Sequence, residues 1–303
     1  MSLYCNDNKD YKYEYNRTPL KGSESKYIYI PLSVIVDDEL DTKSVSILSY
    51  MKVHCGLNGI IGFTVNDMVE WCGLKPNTKD GRINDSFLDI MDVLSDRGYF
   101  TYLTERNKSS YMKCKMDSDY YCDECSNGYA VLYLDELEKI MSYKNSKGSS
   151  ASNTNILLVF AYLRHKIIRR PNELKPEERS EEGIEKRRIR IPDAYSSTIS
   201  DMADELGIHK QTFSKMIDIL EKELKLIVTD RAYRVKVDDK KYKTLPTIFA
   251  NAYKREDKYL LAAGEEYNRT EIEIKAENMK QYYGDYKINK SKRRWQLWNI
   301  KKN

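Results

Sequence analysis

The chain has no G-x-x-x-x-G-K-[ST] phosphate loop anywhere in its 303 residues, which excludes a motor or loader ATPase of that type. Histidine is scarce: His54, His165 and His209 stand apart, with no His-x-His pair and no His-Glu-x-x-His. A metal-dependent nicking site needs such a cluster beside its tyrosine nucleophile, and none of the 25 tyrosines is next to one. No Ser-His-Asp set stands out either. The chain therefore reads as a non-enzyme that needs no cofactor. Long apolar runs are also missing. None approaches the roughly 18 residues that would span a bilayer. The N-terminus, rich in Tyr, Asn, Asp and Lys, lacks the apolar stretch of a secretory signal. A cytoplasmic protein with no membrane partner is expected.

Cysteine is limited to six residues. Cys5, Cys55 and Cys72 are scattered and read as reduced thiols. Cys114, Cys122 and Cys125 form C-x7-C-x2-C, so Cys122-Asp-Glu-Cys125 is either half of a zinc site or a solvent-facing loop with two thiols. A structural zinc site needs four ligands, and no fourth Cys or His lies nearby in sequence, so no metal is expected. An excess of one charge is lacking as well. With 41% hydrophobic and 32% charged residues and a net charge of only +4, any nucleic-acid surface must come from local segregation of charge.

What the sequence does carry is concentrated between Thr198 and Leu224. Thr198 or Ser200 can cap a short helix that stops at Gly207, with Ala203 placed where it crosses the next one. The following helix has Phe213, Met216, Ile217, Leu220 and Leu224 at helical spacing, so that stripe should be buried. Its other side carries Gln211, Ser214, Lys215 and Lys222, residue types that contact phosphates and base edges when a helix enters a major groove. The plainer reading is two amphipathic helices of a helical core. Downstream, Leu226–Val228 and Tyr233–Val237 are predicted to form a hairpin that turns through Thr229–Ala232. In its second arm Tyr233, Val235 and Val237 alternate with Arg234 and Lys236. A helix-turn-helix followed at once by a basic hairpin resembles the winged-helix family. There the second helix reads the duplex and the hairpin lies along the flanking backbone, although winged helices also serve as protein-docking modules.

An upstream segment repeats the plan. Tyr27–Val36 reads as extended, and Thr42–Val53 as an amphipathic helix packing through Val45, Leu48, Tyr50 and Met51. A short helix follows Phe63, capped by Thr64 and stopped by Gly73. A longer helix, Arg82–Arg97, ends at Gly98 and should bury Ile83, Phe87, Ile90, Met91 and Leu94. Tyr99–Leu103 and Tyr111–Met116 form a hairpin whose polar tip is Glu105–Ser110. Tyr129–Leu134 and Asp135–Tyr143 add a strand and a helix. In the second unit, Asn155–His165 is the first helix and a long insertion follows it. The fold class is therefore α+β, mainly helical, with two tandem winged helices. The expected divisions are a flexible segment over 1–25, a first domain over 26–143 and a linker over 144–152. A second domain covers 153–243, and a helical, basic extension covers 244–303. In that extension Thr244–Tyr253 begins a helix with Pro246 at a tolerated early position, and Thr270–Tyr283 is another.

Charge separates the two copies. The outward stripe of Arg82–Arg97 is Asp85, Asp89, Asp92 and Asp96, which would meet phosphate with four negative charges. It is either a solvated acidic face or a docking face for a basic partner or for the chain's own basic tail. Basic charge gathers elsewhere. Arg164–Arg190 holds ten Lys or Arg against six Glu, with a Glu-rich middle. Asp285–Asn303 holds seven basic residues and one acidic, including Arg293 and Arg294 between Tyr286, Trp295 and Trp298. Such a tail can wrap phosphates while its indoles stack or pack.

The layout, from the Ile30-Pro-Leu start through the two helix-turn-helix patterns to the basic end, resembles plasmid and phage replication initiators and replisome organisers. That resemblance implies double-stranded DNA as partner, together with helicase-loading or other replication proteins, and leaves a homodimer open. It also implies duplex reading by Lys210, Gln211, Ser214 and Lys215, with Arg231, Arg234 and Lys236 on the wing. The acidic Asp85–Asp96 face departs from the pattern. A transcriptional regulator and a protein-docking adaptor built from winged helices remain the alternatives.

Overall fold

Tyr27-Ile-Tyr-Ile-Pro31 alternates half-buried and buried side chains and forms the first strand, β1, of a computed structural model. The residues it describes are 27–144, 152–167, 194–230, 234–236, 242–244, 247–251 and 287–288. Helices account for about half of these residues and the strands form small antiparallel sheets. The fold is thus mixed α and β, as the sequence predicted, with helix at about half rather than dominant. No helix among the described residues is long and apolar enough to cross a membrane.

The chain divides into two compact units, Met1–His165 with Glu205–Leu224, and Lys166–Asp204 with Lys225–Asn303. The expected domains, 26–143 and 153–243, follow chain order instead; residues of 153–243 contribute to both units.

In the first unit β1 leads into α1 (Leu32–Val36), so the extended segment expected over Tyr27–Val36 ends at Pro31. Pro31 is tolerated there because it closes a strand and opens a helix, where its missing N–H is not needed. Then come α2 (Ser44–His54), β2 (Ile60–Phe63), α3 (Val65–Trp71), α4 (Ile83–Asp96), β3 (Phe100–Tyr102) and β4 (Met112–Met116). The expected hairpin is present as β3 against β4, and β2 adds to the other edge of β4, giving the order β2-β4-β3. Helix α5 (Ser118–Ser126) follows, then β5 (Tyr129–Tyr133), α6 (Leu134–Met141) and α7 (Asn153–Lys166). Strand β5 pairs antiparallel with β1, Tyr27 opposite Tyr133 and Pro31 opposite Tyr129.

The helix ends follow local chemistry. Thr64 caps α3: its Oγ1 accepts from the Asp67 N–H at 3.2 Å, and Asp67 Oδ2 accepts from the Thr64 N–H at 3.0 Å. Helices α3 and α4 both end in a Schellman turn with glycine in the left-handed region. Gly73 (φ 71°) donates to the Glu70 carbonyl while Leu74 reaches back to Val69; Gly98 (φ 93°) and Tyr99 do the same with Ser95 and Leu94. Helix α4 buries Asn84, Phe87, Leu88, Ile90, Met91 and Leu94 and leaves Ile83 half-buried.

Helix α2 corrects a prediction. Every side chain from Ser44 to Met51 is buried, so it is a core helix and not a one-faced amphipathic one. Its serines at 44, 46 and 49 are small enough for neighbours to close over that side, and Ser49 Oγ donates to the Val45 carbonyl at 2.7 Å. Helix α7 is of the same kind, with Ile156 through Arg164 all buried. It is fastened to α6 and β5 within the same unit. Asn153 Nδ2 donates to the carbonyls of Met141 (2.8 Å) and Tyr143 (3.2 Å), and His165 Nδ1 pairs with the Tyr129 carbonyl at 3.2 Å. Arg164 forms an ion pair with Glu136 in which the two side chains are only 2% and 4% exposed. The Arg164 guanidinium also lies 4.9 Å from the Phe160 ring centroid, a cation–π arrangement.

In the second unit β6 (Ala194–Ser197) precedes α8 (Ile199–Glu205), and β7 (Ile227–Asp230), β8 (Arg234–Lys236), β9 (Tyr242–Thr244), β10 (Thr247–Asn251) and β11 (Lys287–Ile288) follow. The hairpin expected between Leu226–Val228 and Tyr233–Val237 does not form. Strand β7 pairs with β10, Ile227 opposite Asn251 and Phe249 opposite Thr229, while β8 pairs with β9 and β11. The physical reason is burial: in the pairing with β10, Ile227 is buried together with Phe249 and Ala250. The same strand overturns the helix predicted to begin at Thr244. Thr247-Ile-Phe249 favours the pleated surface. The helix expected over Thr270–Tyr283 lies outside the described residues, as do the segments 1–25 and 145–151.

Two stability outcomes follow. Gly98→Ala should cost about 1–2 kcal/mol, the penalty for a side chain in the left-handed region, because its new Cβ would meet only Tyr120 ring atoms at 3.6 Å. Gly73→Ala should cost more, since its Cβ would come within 2.5 Å of Asn153 Nδ2; urea midpoints rank the two. Arg164→Ala should destabilise the protein by about 3–5 kcal/mol by stranding a buried carboxylate, and Glu136→Leu combined with Arg164→Met should recover much of that loss.

Candidate nucleic-acid interface

Helix α9 (Lys210–Asp218) belongs to the first unit and widens into a π-helical turn over Ile219–Glu223. Upstream, Thr198 Oγ1 accepts from the Asp201 N–H at 3.1 Å and caps α8, and Gly207 takes φ 60° after that helix ends. Phe213, Met216, Ile217, Leu220 and Leu224 are all buried, as their spacing predicted. The π turn was not foreseen. It is closed by the Leu224 N–H donating to the Ile219 carbonyl at 2.9 Å. Leu224 stays buried through this turn, and Lys225 then takes φ 54° to lead into β7.

The opposite side of α9 is where the sequence placed duplex reading. Lys210, Gln211 and Lys215 are exposed and Ser214 is half-buried. Among the described residues neither Lys210 nor Lys215 has a carboxylate partner. Lys222 differs, since its Nζ lies 2.8 Å from Asp218 Oδ1 one turn back. Two phenols hold the ends of this segment in the first unit. Tyr162 of α7 donates to Glu205 Oε2 at 2.5 Å, and Tyr143 donates to Glu223 Oε2 at 2.6 Å. Burial and the Glu223 carboxylate push the Tyr143 phenol up to about 12, so it stays a donor at neutral pH. Arg234 and Lys236, expected on the wing, lie in β8, whose backbone pairs with β9. Arg231, Arg293 and Arg294 lie outside the described residues.

In α4 the geometry adds what the sequence missed. The β3–β4 loop folds back on the acidic stripe and sets two cations against it. Arg106 bridges Asp89 (3.1 Å) and Asp92 (2.7 Å), and Lys108 bridges Asp80 and Asp85, the latter at 3.2 Å. Asp92 Oδ1 accepts from the Tyr102 hydroxyl at 3.0 Å as well. Three of the four aspartates thus have partners on their own hairpin, while Asp96 is exposed. The available signal was the sign alternation between an acidic helix face and a cationic hairpin tip that follows it. Asp85 is held below the usual carboxylate range, first by the Gly81 N–H at 2.6 Å and then by Lys108.

The Cys122–Cys125 segment is helical, within α5, and is not the predicted solvent-facing loop. Cys125 is buried, Cys122 is half-buried, and Cys114 is buried in β4 with its thiol pushed up to about 12 by desolvation. Among the described residues no group of three or more His, Cys, Asp or Glu is arranged to hold a metal.

Because the Gly81 N–H also holds the carboxylate, Lys108→Ala should raise the Asp85 pKa only part of the way to its ordinary value. A carboxyl resonance followed by NMR through an acid titration measures this. The sign for folding is that of any depressed carboxyl: its stabilisation is present above the ordinary carboxylate range and is lost as pH falls through the lowered value.

Comparison with known proteins supplies no family: no family model matches the chain, and no curated protein matches it.

Proposed function

We propose that the chain is a non-catalytic DNA-binding protein made of two winged-helix modules, acting as the replication initiator or replisome organiser of a plasmid, phage or integrative element. The observation that carries the winged-helix reading is a repeated topology. Strand, two helices, then two strands occur in order as β2-α3-α4-β3-β4 and again as β6-α8-α9-β7-β10, with β8 and β9 inserted before the last strand. Both sheets place the first strand beside the last and the last beside the middle one, β2-β4-β3 and β6-β10-β7. In this reading the second wing is β7–β10, and β8–β9 elaborates its tip.

Within that frame the cationic side of α9 supports duplex reading by Lys210, Gln211, Ser214 and Lys215. A helix with one side buried and the other side basic is suited to the major groove. Arg231, Arg234 and Lys236 would then lie along the flanking phosphates. The first module takes another role. Its second helix faces outward with carboxylates that forfeit counterion release, and what positive charge the hairpin tip has is spent on Asp80, Asp85, Asp89 and Asp92. This favours protein docking through that face, where Asp89 is 73% exposed. A basic partner, such as a helicase-loading protein or a second copy of the chain, fits it.

Replication is read over transcriptional regulation from the resemblance of the two-module layout to replication initiators. Footprinting separates them: iterated sites with melting of adjacent duplex belong to an initiator, and one palindrome to a regulator. Lys215→Ala should weaken duplex binding, change sequence preference and lower the salt slope by about 1. Arg234→Ala should weaken binding with the preference unchanged. Gel shifts across salt concentrations test both, and duplex binding that ignores Lys215→Ala overturns the assignment of α9.

A further inference from the structure

The three strands β2, β3 and β4 carry no acidic residue in Ile60-Ile-Gly-Phe63, Phe100-Thr-Tyr102 and Met112-Lys-Cys-Lys-Met116. Their inward side chains form core: Ile61, Phe63, Phe100, Met112, Cys114 and Met116 are all buried. Strict alternation therefore turns Lys113 and Lys115 of the central strand to the outer face, where both are exposed. Gly62 stands opposite Lys113, and Thr101 stands opposite Lys115. Ile60 flanks Lys115 from the other edge of the sheet, and both lysines remain exposed. Neither has a carboxylate partner among the described residues, unlike Arg106 and Lys108 at the hairpin tip. Of the nearest carboxylates, Asp117 is engaged at the N-terminus of α5, where its Oδ1 accepts from the Tyr120 N–H at 2.9 Å. Glu105 lies beyond β3 in the loop.

Apolar surface is gathered on the same face. Tyr111 continues the outward alternation of β4 and lies across Gly62, where any Cβ would collide with its hydroxyl, yet the residue remains 58% exposed. Leu103, 48% exposed, is hydrogen-bonded through its N–H to the Lys113 carbonyl at 2.8 Å. A ring pinned on a glycine with its other side open, beside two unpaired cations roughly 7 Å apart along a strand, is a combination that serves unpaired bases. The bases stack on the ring and the phosphates meet the lysines.

We propose that this outer sheet face of the first unit, through Tyr111, Lys113 and Lys115, binds single-stranded nucleic acid. Base pairs hide the ring faces that Tyr111 would stack on, so the surface prefers an unpaired strand. The site does not rest on duplex reading by α9. It gives the first unit a contact to nucleic acid on a face other than the acidic α4 stripe.

The test is fluorescence anisotropy of the full chain with a labelled single-stranded oligothymidylate across salt concentrations, with a duplex and phosphatidylserine vesicles as comparison probes. Lys113→Ala with Lys115→Ala should weaken oligothymidylate binding at least tenfold and lower the salt slope by about 1.4, two contacts at about 0.7 each. Tyr111→Ala should weaken it about tenfold, and Tyr111→Phe should restore it. Thermal melts of the exposed lysine variants, which remove no buried group, establish that they fold. Lys215→Ala should weaken duplex binding and leave oligothymidylate binding unchanged, so failure of one assignment is distinct from failure of the other. The proposal is overturned if the wild-type chain does not bind the oligothymidylate, if binding ignores the lysine pair, or if the lysine pair governs vesicle binding alone.

Discussion

A carboxylate and a guanidinium taken almost wholly out of water, Glu136 and Arg164, tie α6 to α7. Each charge alone costs several kcal/mol to bury, so losing either partner singly loosens the hold of one helix on the other. That hold matters beyond the pair itself. Tyr162 lies two residues before Arg164 on α7, and Tyr143 lies just beyond α6; their phenols grip Glu205 and Glu223. Those two glutamates bracket α9. The placement of the candidate duplex-reading helix in the first unit is therefore inherited, through two phenol–carboxylate bonds, from an ion pair that never touches solvent.

Positive charge in this molecule is better described by where it is free than by how much there is. With a net charge of +4 over the whole chain, total charge gives little steering. The hairpin tip of the first unit has a guanidinium and an ammonium, but aspartates hold both, and exposed pairs of this kind add little stability. Their larger effect is to remove two cations from any phosphate contact. Lys210 and Lys215 on α9, and Lys113 and Lys115 on the β2–β4–β3 sheet, are different because no described carboxylate competes for them. Within the first unit, α4 thus turns carboxylates outward, whereas α9 and the outer face of the β2–β4–β3 sheet turn lysines outward.

Local signals in the sequence were read well where the chemistry is local. The Thr64 cap, the glycine stops at 73, 98 and 207, and the buried stripes of α4 and α9 all depend on residues within a few positions of one another. The β3–β4 hairpin was legible for the same reason. Errors arose where a partner is distant. Alternation in Ile227–Asp230 tells which side chains turn inward but not which strand lies alongside; that strand is β10, and in this pairing Ile227 is buried together with Phe249. Helices α2 and α7 show the converse limit: burial on every side erases the one-faced pattern by which a helix is recognised. The candidate site was half visible. The exposed residues on α9 follow from period alone, whereas Arg106 and Lys108 find their aspartates only when the hairpin folds back on α4.

Strands β7 and β10 are neighbours in one sheet, yet the chain between them runs through two more strands before returning. A segment whose two ends are fixed side by side can lengthen or shorten at small entropic cost, because closure depends only weakly on loop length. The excursion that carries β8 and β9 is consequently open to evolutionary tinkering. New contacts can be tried there while the register of β6, β10 and β7 stays as it is.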